Sequence, residues 1–278
     1  MREKKLFVPA VVAPPQRIEP AWWFVFRGNE LLVKLENSSV DLPCIVDLID
    51  LNLVTIRQQY LGTLNGRHCY STEVAKNIQA PNGMTFRGLR HLWDLFDEDF
   101  IEVSGYAAQI AHWDRTHQFC GCCGNKMETD GKERAQVCSQ CGLTNFPRIS
   151  PVVIVAVVRD DKLLLAHGHL SPPGVYSAIA GFVNPGETLE NCVQREVREE
   201  TGVNVKDIRY FGSQSWPFPH SLMIAFTAAY VCGEIVIDKT EIEDANWFSA
   251  DKLPTLPGKV SIARWLVDWF IAEQDEKK

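Results

Sequence analysis

The chain lacks any apolar run of the ~18 residues that a membrane-spanning helix requires, and no membrane partner is expected. It also lacks an excess of positive charge. Lys and Arg number 28 against 35 Asp and Glu, a net charge of -7, which argues against a general binder of nucleic acid or anionic membranes, since such proteins carry a strong basic patch. Internal repeats and low-complexity tracts are missing as well, so nothing suggests a solenoid or a disordered tail. The amino terminus briefly mimics a signal peptide, but its apolar stretch is short, broken by Pro9 and not followed by a small-residue cleavage site. It reads as mature chain. The 278 residues, 46% of them hydrophobic, leave room for two domains and a sizeable core. Nine cysteines is an odd number, and four of them fall into a metal pattern, so a reducing cytoplasm is expected rather than secretion.

The four are Cys120 and Cys123, followed by Cys138 and Cys141, two Cys-x2-Cys knuckles each trailed by a glycine, Gly124 and Gly142. Each knuckle offers two thiolates from a tight turn, and four soft ligands close a tetrahedral zinc site. A closed site has no open position at which to activate water, so one structural Zn2+ per chain is expected. Two disulfides or a redox pair are the weaker reading. Cys122 intrudes between the first pair, while Cys44, Cys69, Cys192 and Cys232 are scattered and read as small buried hydrophobes.

Negative charge is concentrated at one place. Glu196, Glu199 and Glu200 are spaced i, i+3 and i+4, which puts them on one face of a helix. Like charges so placed repel, and a hard divalent cation converts that repulsion into coordination. The surrounding residues agree with a helix: Asn184-Pro185-Gly186 turns into it, Leu189, Val193 and Val197 form its buried stripe, and Gly202 ends it as a C′ residue. The whole segment fills Gly-x5-Glu-x7-Arg-Glu-U-x-Glu-Glu-x-Gly-U, with U a bulky aliphatic, through Gly181, Glu187, Arg195, Glu196, Val197, Glu199, Glu200, Gly202 and Val203. It therefore resembles the signature of the Nudix hydrolases.

Downstream, residues 213–221 read Ser-Gln-Ser-Trp-Pro-Phe-Pro-His-Ser and are expected to form a loop after a strand. Two prolines stiffen it and present Trp216 and Phe218, which either grip a flat heterocycle or pack the loop onto the core; the residues alone leave these readings even. The segment resembles the Ser-Gln-Pro-Trp-Pro-Phe-Pro-x-Ser motif of the NADH pyrophosphatase subfamily, with Ser215 replacing the first proline. That resemblance extends over nearly the whole chain, since the subfamily also orders an amino-terminal domain, a four-cysteine ribbon and a Nudix domain.

What the resemblance implies is hydrolysis of NADH or NAD to nicotinamide mononucleotide and AMP, removal of NAD caps from RNA 5′ ends, and a homodimer. It implies Mg2+ or Mn2+ held by Glu196, Glu200, Glu241 and the Ala180 carbonyl. Its substrate contacts correspond to Gln214, Ser215, Trp216, Pro217, Phe218, Pro219, His220 and Ser221, together with Phe146, Ala263, Arg90, Glu133 and, less securely, Lys34. Phe146 stands where the family has a stacking tyrosine, so a ring survives and a hydroxyl is lost. Chemically, a pyrophosphate repels nucleophiles, and two or more divalent ions are needed to neutralise it and acidify an attacking water. Glu199 shares a metal or acts as general base, while Arg195 orients a carboxylate, Glu187 being the candidate partner. Asp238, Glu243 and Asp244 compete with Glu241 on the residues alone. Two other functions remain in view: a Nudix hydrolase of another nucleoside diphosphate such as ADP-ribose, and a catalytically silent zinc-ribbon protein that binds nucleic acid.

The expected organisation is α/β or α+β: a β-rich domain over residues 1–115 ending in a helix, a zinc ribbon over 116–148, and a Nudix α/β/α sandwich with a mixed sheet over 149–278. Residues 22–26 and 31–34 form a candidate hairpin, and Asp97 opens a helix carrying Phe100, Val103, Ala107 and Ile110. Residues 152–158 and 163–166 form a second hairpin. Further strands are expected near residues 177–179, 208–212, 222–231 and 245–248, and a closing helix near 260–272.

Overall fold

A computed structural model describes residues 7–36, 39–92, 95–96, 98–169 and 171–276; Asp97, the expected helix opener, lies outside them. The chain forms two compact units, one of residues 1–148 with Pro217–Pro219, the other of residues 149–216 with 220–278.

In the first unit the β-branched and aromatic runs pair as expected. Strands β1 (Phe7–Pro9), β2 (Ala21–Arg27), β3 (Glu30–Glu36), β4 (Ser39–Asp41), β5 (Cys44–Ile45), β6 (Thr55–Leu64), β7 (Arg67–Val74) and β8 (Thr85–Gly88) make one sheet with the spine β1-β6-β7-β2-β3-β4. Gly28 turns the β2–β3 hairpin at φ 64°, where only glycine bends without cost. After the short α1 (Leu89–Leu92) comes α2 (Glu98–Thr116), whose Val103, Ala107 and Ile110 are buried. Its Asp114 accepts a 3.0 Å hydrogen bond from Gln136, which sits in the ribbon. That ribbon is a small antiparallel sheet of β9 (Glu128–Thr129), β10 (Gln136–Val137) and β11 (Thr144–Asn145).

The second unit is built on β12 (Ser150–Arg159), apolar on both faces because both are covered. It pairs in parallel with β16 (Ser221–Cys232) and antiparallel with β13 (Lys162–Gly168) and β14 (Ile179–Phe182). The edges are β15 (Asn204–Trp216) and β17 (Ile242–Ser249), giving a mixed sheet ordered β15-β16-β12-β13-β17. Val153, Val155 and Val157 point to one face, where Cys192, Val193 and Val197 of α3 (Leu189–Thr201) complete a core. Ile154 and Ala156 point to the other, packing on Leu266, Val267 and Phe270 of α4 (Ile262–Asp275). The result is the expected α/β/α sandwich.

Two expected elements are redrawn. The strand near residues 177–179 begins only at Ile179, Ser177 making an isolated bridge to Ala166. The expected loop 213–221 is mostly ladder: β15 runs through Trp216, which pairs with Ser221 at the start of β16. The turn is confined to residues 217–220, where Pro217 and Pro219 have no N–H to donate to a ladder.

Candidate functional site

Helix α3 starts where Thr188 accepts a hydrogen bond from the Asn191 amide, and it stops at Gly202, whose φ of 74° closes the C-terminus. Its apolar stripe fixes its rotation about its axis. The opposite shoulder then delivers Glu196, Glu199 and Glu200 into a cleft of roughly 980 Å3 whose other wall is β14 with Ala180 and Gly181. Glu196 and Glu200 are 8% and 6% exposed, which is unusual for carboxylates.

Arg195 ties the first part of the site together. Its Nε and Nη2 each donate at 2.8 Å to the two oxygens of Glu187, its Nη1 donates to Glu196 at 2.7 Å and to Glu199 at 3.0 Å, and Nη2 also reaches the Phe182 carbonyl at 2.9 Å. The Glu187 pairing anticipated from the motif is therefore formed, and it is bidentate. This guanidinium, with help from the Asn184 amide, pulls the Glu187 carboxyl down to about 2. Arg195 is correspondingly held as a cation.

Glu200 is the opposite case. Its carboxylate makes no hydrogen bond or ion pair among the described residues, and burial, reinforced by Glu196, Glu241 and Asp238, pushes it up to about 8. Burial likewise raises Glu196. A buried carboxylate without a donor, facing other carboxylates and a backbone carbonyl wall, is a hard-oxygen set that fits Mg2+ or Mn2+.

The acidic segment after β16 sorts itself by partners. Asp238 and Glu241 line the cleft. Glu243 is engaged by His169 at 3.0 Å and His167 at 3.3 Å, and Asp244 accepts a 2.6 Å hydrogen bond from the Tyr176 hydroxyl. Of the four competitors, only Asp238 and Glu241 are among the residues that line the cleft. The segment is anchored to α3 by main-chain bonds, Asp238 N–H to the Glu200 carbonyl at 3.1 Å and Val236 N–H to the Thr201 carbonyl at 3.0 Å. Thr188, the Phe182 carbonyl and the His169 contacts were missed by sequence reasoning, and only Thr188, a capping residue just before the apolar stripe, carried a readable signal.

In the first unit the four cysteine sulfurs of the two knuckles lie within 4.8 Å of one another, with 3.5 Å between Cys120 and Cys141 and between Cys123 and Cys138. A disulfide would need about 2.05 Å. A tetrahedron with Zn–S near 2.3 Å has edges of about 3.8 Å, so the knuckles fit zinc.

The family model described as a NUDIX domain matches residues 148–270, the NADH pyrophosphatase-like rudimentary NUDIX domain matches 20–113, and the NADH pyrophosphatase zinc ribbon domain matches 115–146. A protein of Stutzerimonas stutzeri called NAD-capped RNA hydrolase NudC is 46% identical over 81% of each chain. One of the same name from Pseudomonas fluorescens is 43% identical over 92% of each. The chain belongs to the NADH pyrophosphatase branch of the Nudix hydrolases. A NUDIX hydrolase of Nitrosomonas europaea, 21% identical with a TM-score of 0.50 over 58% of this chain and 94% of that one, shares the fold.

The substrate residues expected of this Nudix hydrolase are distributed unevenly. Gln214 Nε2 donates to the Val260 carbonyl at 2.7 Å and its Oε1 accepts from Ile262 N at 2.8 Å, so this amide ties β15 to the start of α4. Ser215 pairs with Leu222 in the ladder, His220 meets Ser150 at 3.1 Å, and Ser221 is 7% exposed. Ala263 is packed in the core under α4. In the first unit the Arg90 guanidinium lies 4.6 Å from the Phe218 ring centre, and both line a cavity of roughly 530 Å3 with Pro217 and Pro219. Phe146 and Glu133 are exposed on the ribbon, and Lys34 is exposed on β3.

Proposed function

We propose that this Nudix hydrolase cleaves the pyrophosphate of NADH or NAD, giving nicotinamide mononucleotide and AMP, and removes NAD caps from RNA 5′ ends. The observation that carries the reading is the donorless, buried carboxylate of Glu200 beside Glu196 and Glu241 in a chain whose curated relatives are NAD-capped RNA hydrolases. Glu196, Glu200, Glu241 and the Ala180 carbonyl hold Mg2+ or Mn2+, two or more per site. When bound, these ions neutralise the pyrophosphate oxygens and lower the pKa of the attacking water. Arg195 keeps Glu196 aimed into the cleft while Glu187, Glu199 and the Phe182 carbonyl take the rest of its fork. Glu199, the most exposed of the three, takes a proton from the attacking water, a reading its exposure supports. Phe218 and Arg90, which line one cavity of the first unit, offer flat surfaces to a base.

The domains implied are 1–115, 116–148 and 149–278, with one structural zinc in the second. The working form is a cytoplasmic homodimer. Purified protein mixed with NADH and Mg2+ or Mn2+ is expected to release reduced nicotinamide mononucleotide and AMP; no product with either metal would sink the reading. Relative kcat/KM for NADH, NAD-capped RNA and ADP-ribose then ranks the substrates.

A further inference from the structure

The ladder between β13 and β17 contains an irregularity beside the acidic cleft. His167 pairs with Asp244 and Gly168 with Ile242, so Glu243 is an extra residue on β17 without a partner opposite. A bulge of this kind turns a side chain out of its regular alternation. Here it brings Glu243 against two histidines of β13 and the residues that follow it. Its Oε2 lies 3.3 Å from Nε2 of His167, whose Nδ1–H donates to the Val175 carbonyl at 2.9 Å. Its Oε1 lies 3.0 Å from Nδ1 of His169.

His169 closes the arrangement from the other side. Its Nε2–H donates to the Lys239 carbonyl at 3.0 Å, and its backbone N–H donates to the Glu241 carbonyl at 3.3 Å. One residue thus holds the segment at 239, 241 and 243, on both sides of the Glu241 side chain. Glu241 itself is exposed and extends from a turn whose internal bonds run back to Asp238. Without the histidine, the segment keeps those main-chain bonds, the Asp238 N–H to the Glu200 carbonyl, the Asp238 side chain capping Thr240 and the contact of Glu243 with His167, but nothing that grips Lys239 and Glu241 from the side of β13.

We propose that His169 is a positioning residue, clasping the 239–243 segment through Lys239, Glu241 and the bulged Glu243 so that the Glu241 carboxylate faces Glu196 and Glu200 across the cleft. The inference rests on Glu241 being a ligand of the divalent ion. Positioning is worth a large factor because a carboxylate on an unclasped turn must be ordered when the cation binds.

The test is calorimetric titration of Mn2+ into zinc-loaded protein, run with wild type, Glu241→Gln, His169→Ala, Glu243→Leu and the His169→Ala/Glu243→Leu pair, alongside steady-state kinetics at varied Mn2+. His169→Ala and Glu243→Leu are each expected to weaken Mn2+ binding about 5- to 20-fold, with kcat at saturating Mn2+ within about threefold of wild type. The double variant is expected to lose less than the two single losses combined, since the two side chains share one contact. His169→Gln, which retains a donor, is expected to recover part of the loss. Thermal melts establish that each variant is folded. Unchanged Mn2+ affinity in His169→Ala, with Glu241→Gln weakened, overturns the clasp. Unchanged affinity in Glu241→Gln overturns the ligand assignment beneath it, and a loss of kcat with no change in Mn2+ affinity assigns His169 to some other role.

Discussion

A Cβ placed on Gly181 would coincide with the carboxylate of Glu196. The first glycine of the motif is therefore a space requirement of its sixteenth position, the two standing on successive elements and adjacent in the cleft. Gly181→Ala is expected to displace Glu196 and lower kcat by about 100-fold or more while leaving the sheet intact, because the added methyl collides with a side chain rather than with backbone. Steady-state kinetics beside a circular dichroism melt separates these effects; full activity would mean that Glu196 has another productive position.

Glu200 predicts a pH-dependent stability in the absence of divalent ion. Its carboxyl lies at about 8 in the fold against an ordinary 4.5, so the folded state binds the proton more tightly. The stability this confers is full below about pH 4.5 and is lost as pH rises through about 8. Protein dialysed free of Mg2+ and Mn2+, with zinc retained, is expected to melt several degrees lower at pH 8.5 than at pH 5.5. Glu200→Gln should flatten that difference while abolishing turnover, and added Mn2+ should restore the wild-type melt at pH 8.5 but not that of the variant.

Glu187 runs the other way. Held at about 2 by Arg195, its contribution is present above the ordinary 4.5 and disappears as pH falls through about 2. Arg195→Lys keeps the charge but cannot fork to Glu187 while also reaching Glu196 and Glu199. A kcat 10- to 100-fold below wild type, with KM for NADH little changed, is the expected result; a raised KM at constant kcat would instead make Arg195 a substrate-binding residue.

Cys138→Ser should release zinc, read by atomic absorption. Loss of the ribbon should also lower the melting temperature of the first unit, because Gln136 of the ribbon supplies a buried bond to Asp114 of α2. An unchanged melt with zinc gone would mean the ribbon and α2 are energetically independent.

Helix α3 was legible because three constraints act on the same residues: a buried stripe, a glycine stop and a carboxylate face. The zinc knuckles were legible for the related reason that four ligands must converge on one ion. Residues 213–221 misled, since prolines and polar residues signal a loop locally, whereas pairing with β16 is decided by partners across the ladder. Gln214 shows the same limit: nothing near it in sequence announces that its amide joins β15 to α4. The Glu243 bulge was out of reach altogether, because it exists only in the register of β17 against a strand some eighty residues earlier. Glu241 could be separated from Glu243 and Asp244 only by seeing which carboxylates line the cleft.

The excursion of β15 and β16 leaves α3 at Gly202 and returns at Gly233, where a Cβ on Gly233 would meet the Gly202 carbonyl. Thr201 and Glu200 then bind the returning chain through Val236 and Asp238. The two ends are thus stitched together at the foot of the hairpin, beside Glu200, and Trp216 and Ser221 pair at the opposite end of the ladder. Substitutions at the tip are therefore expected to leave Glu200 where it is, because the ties that fix it lie at the foot.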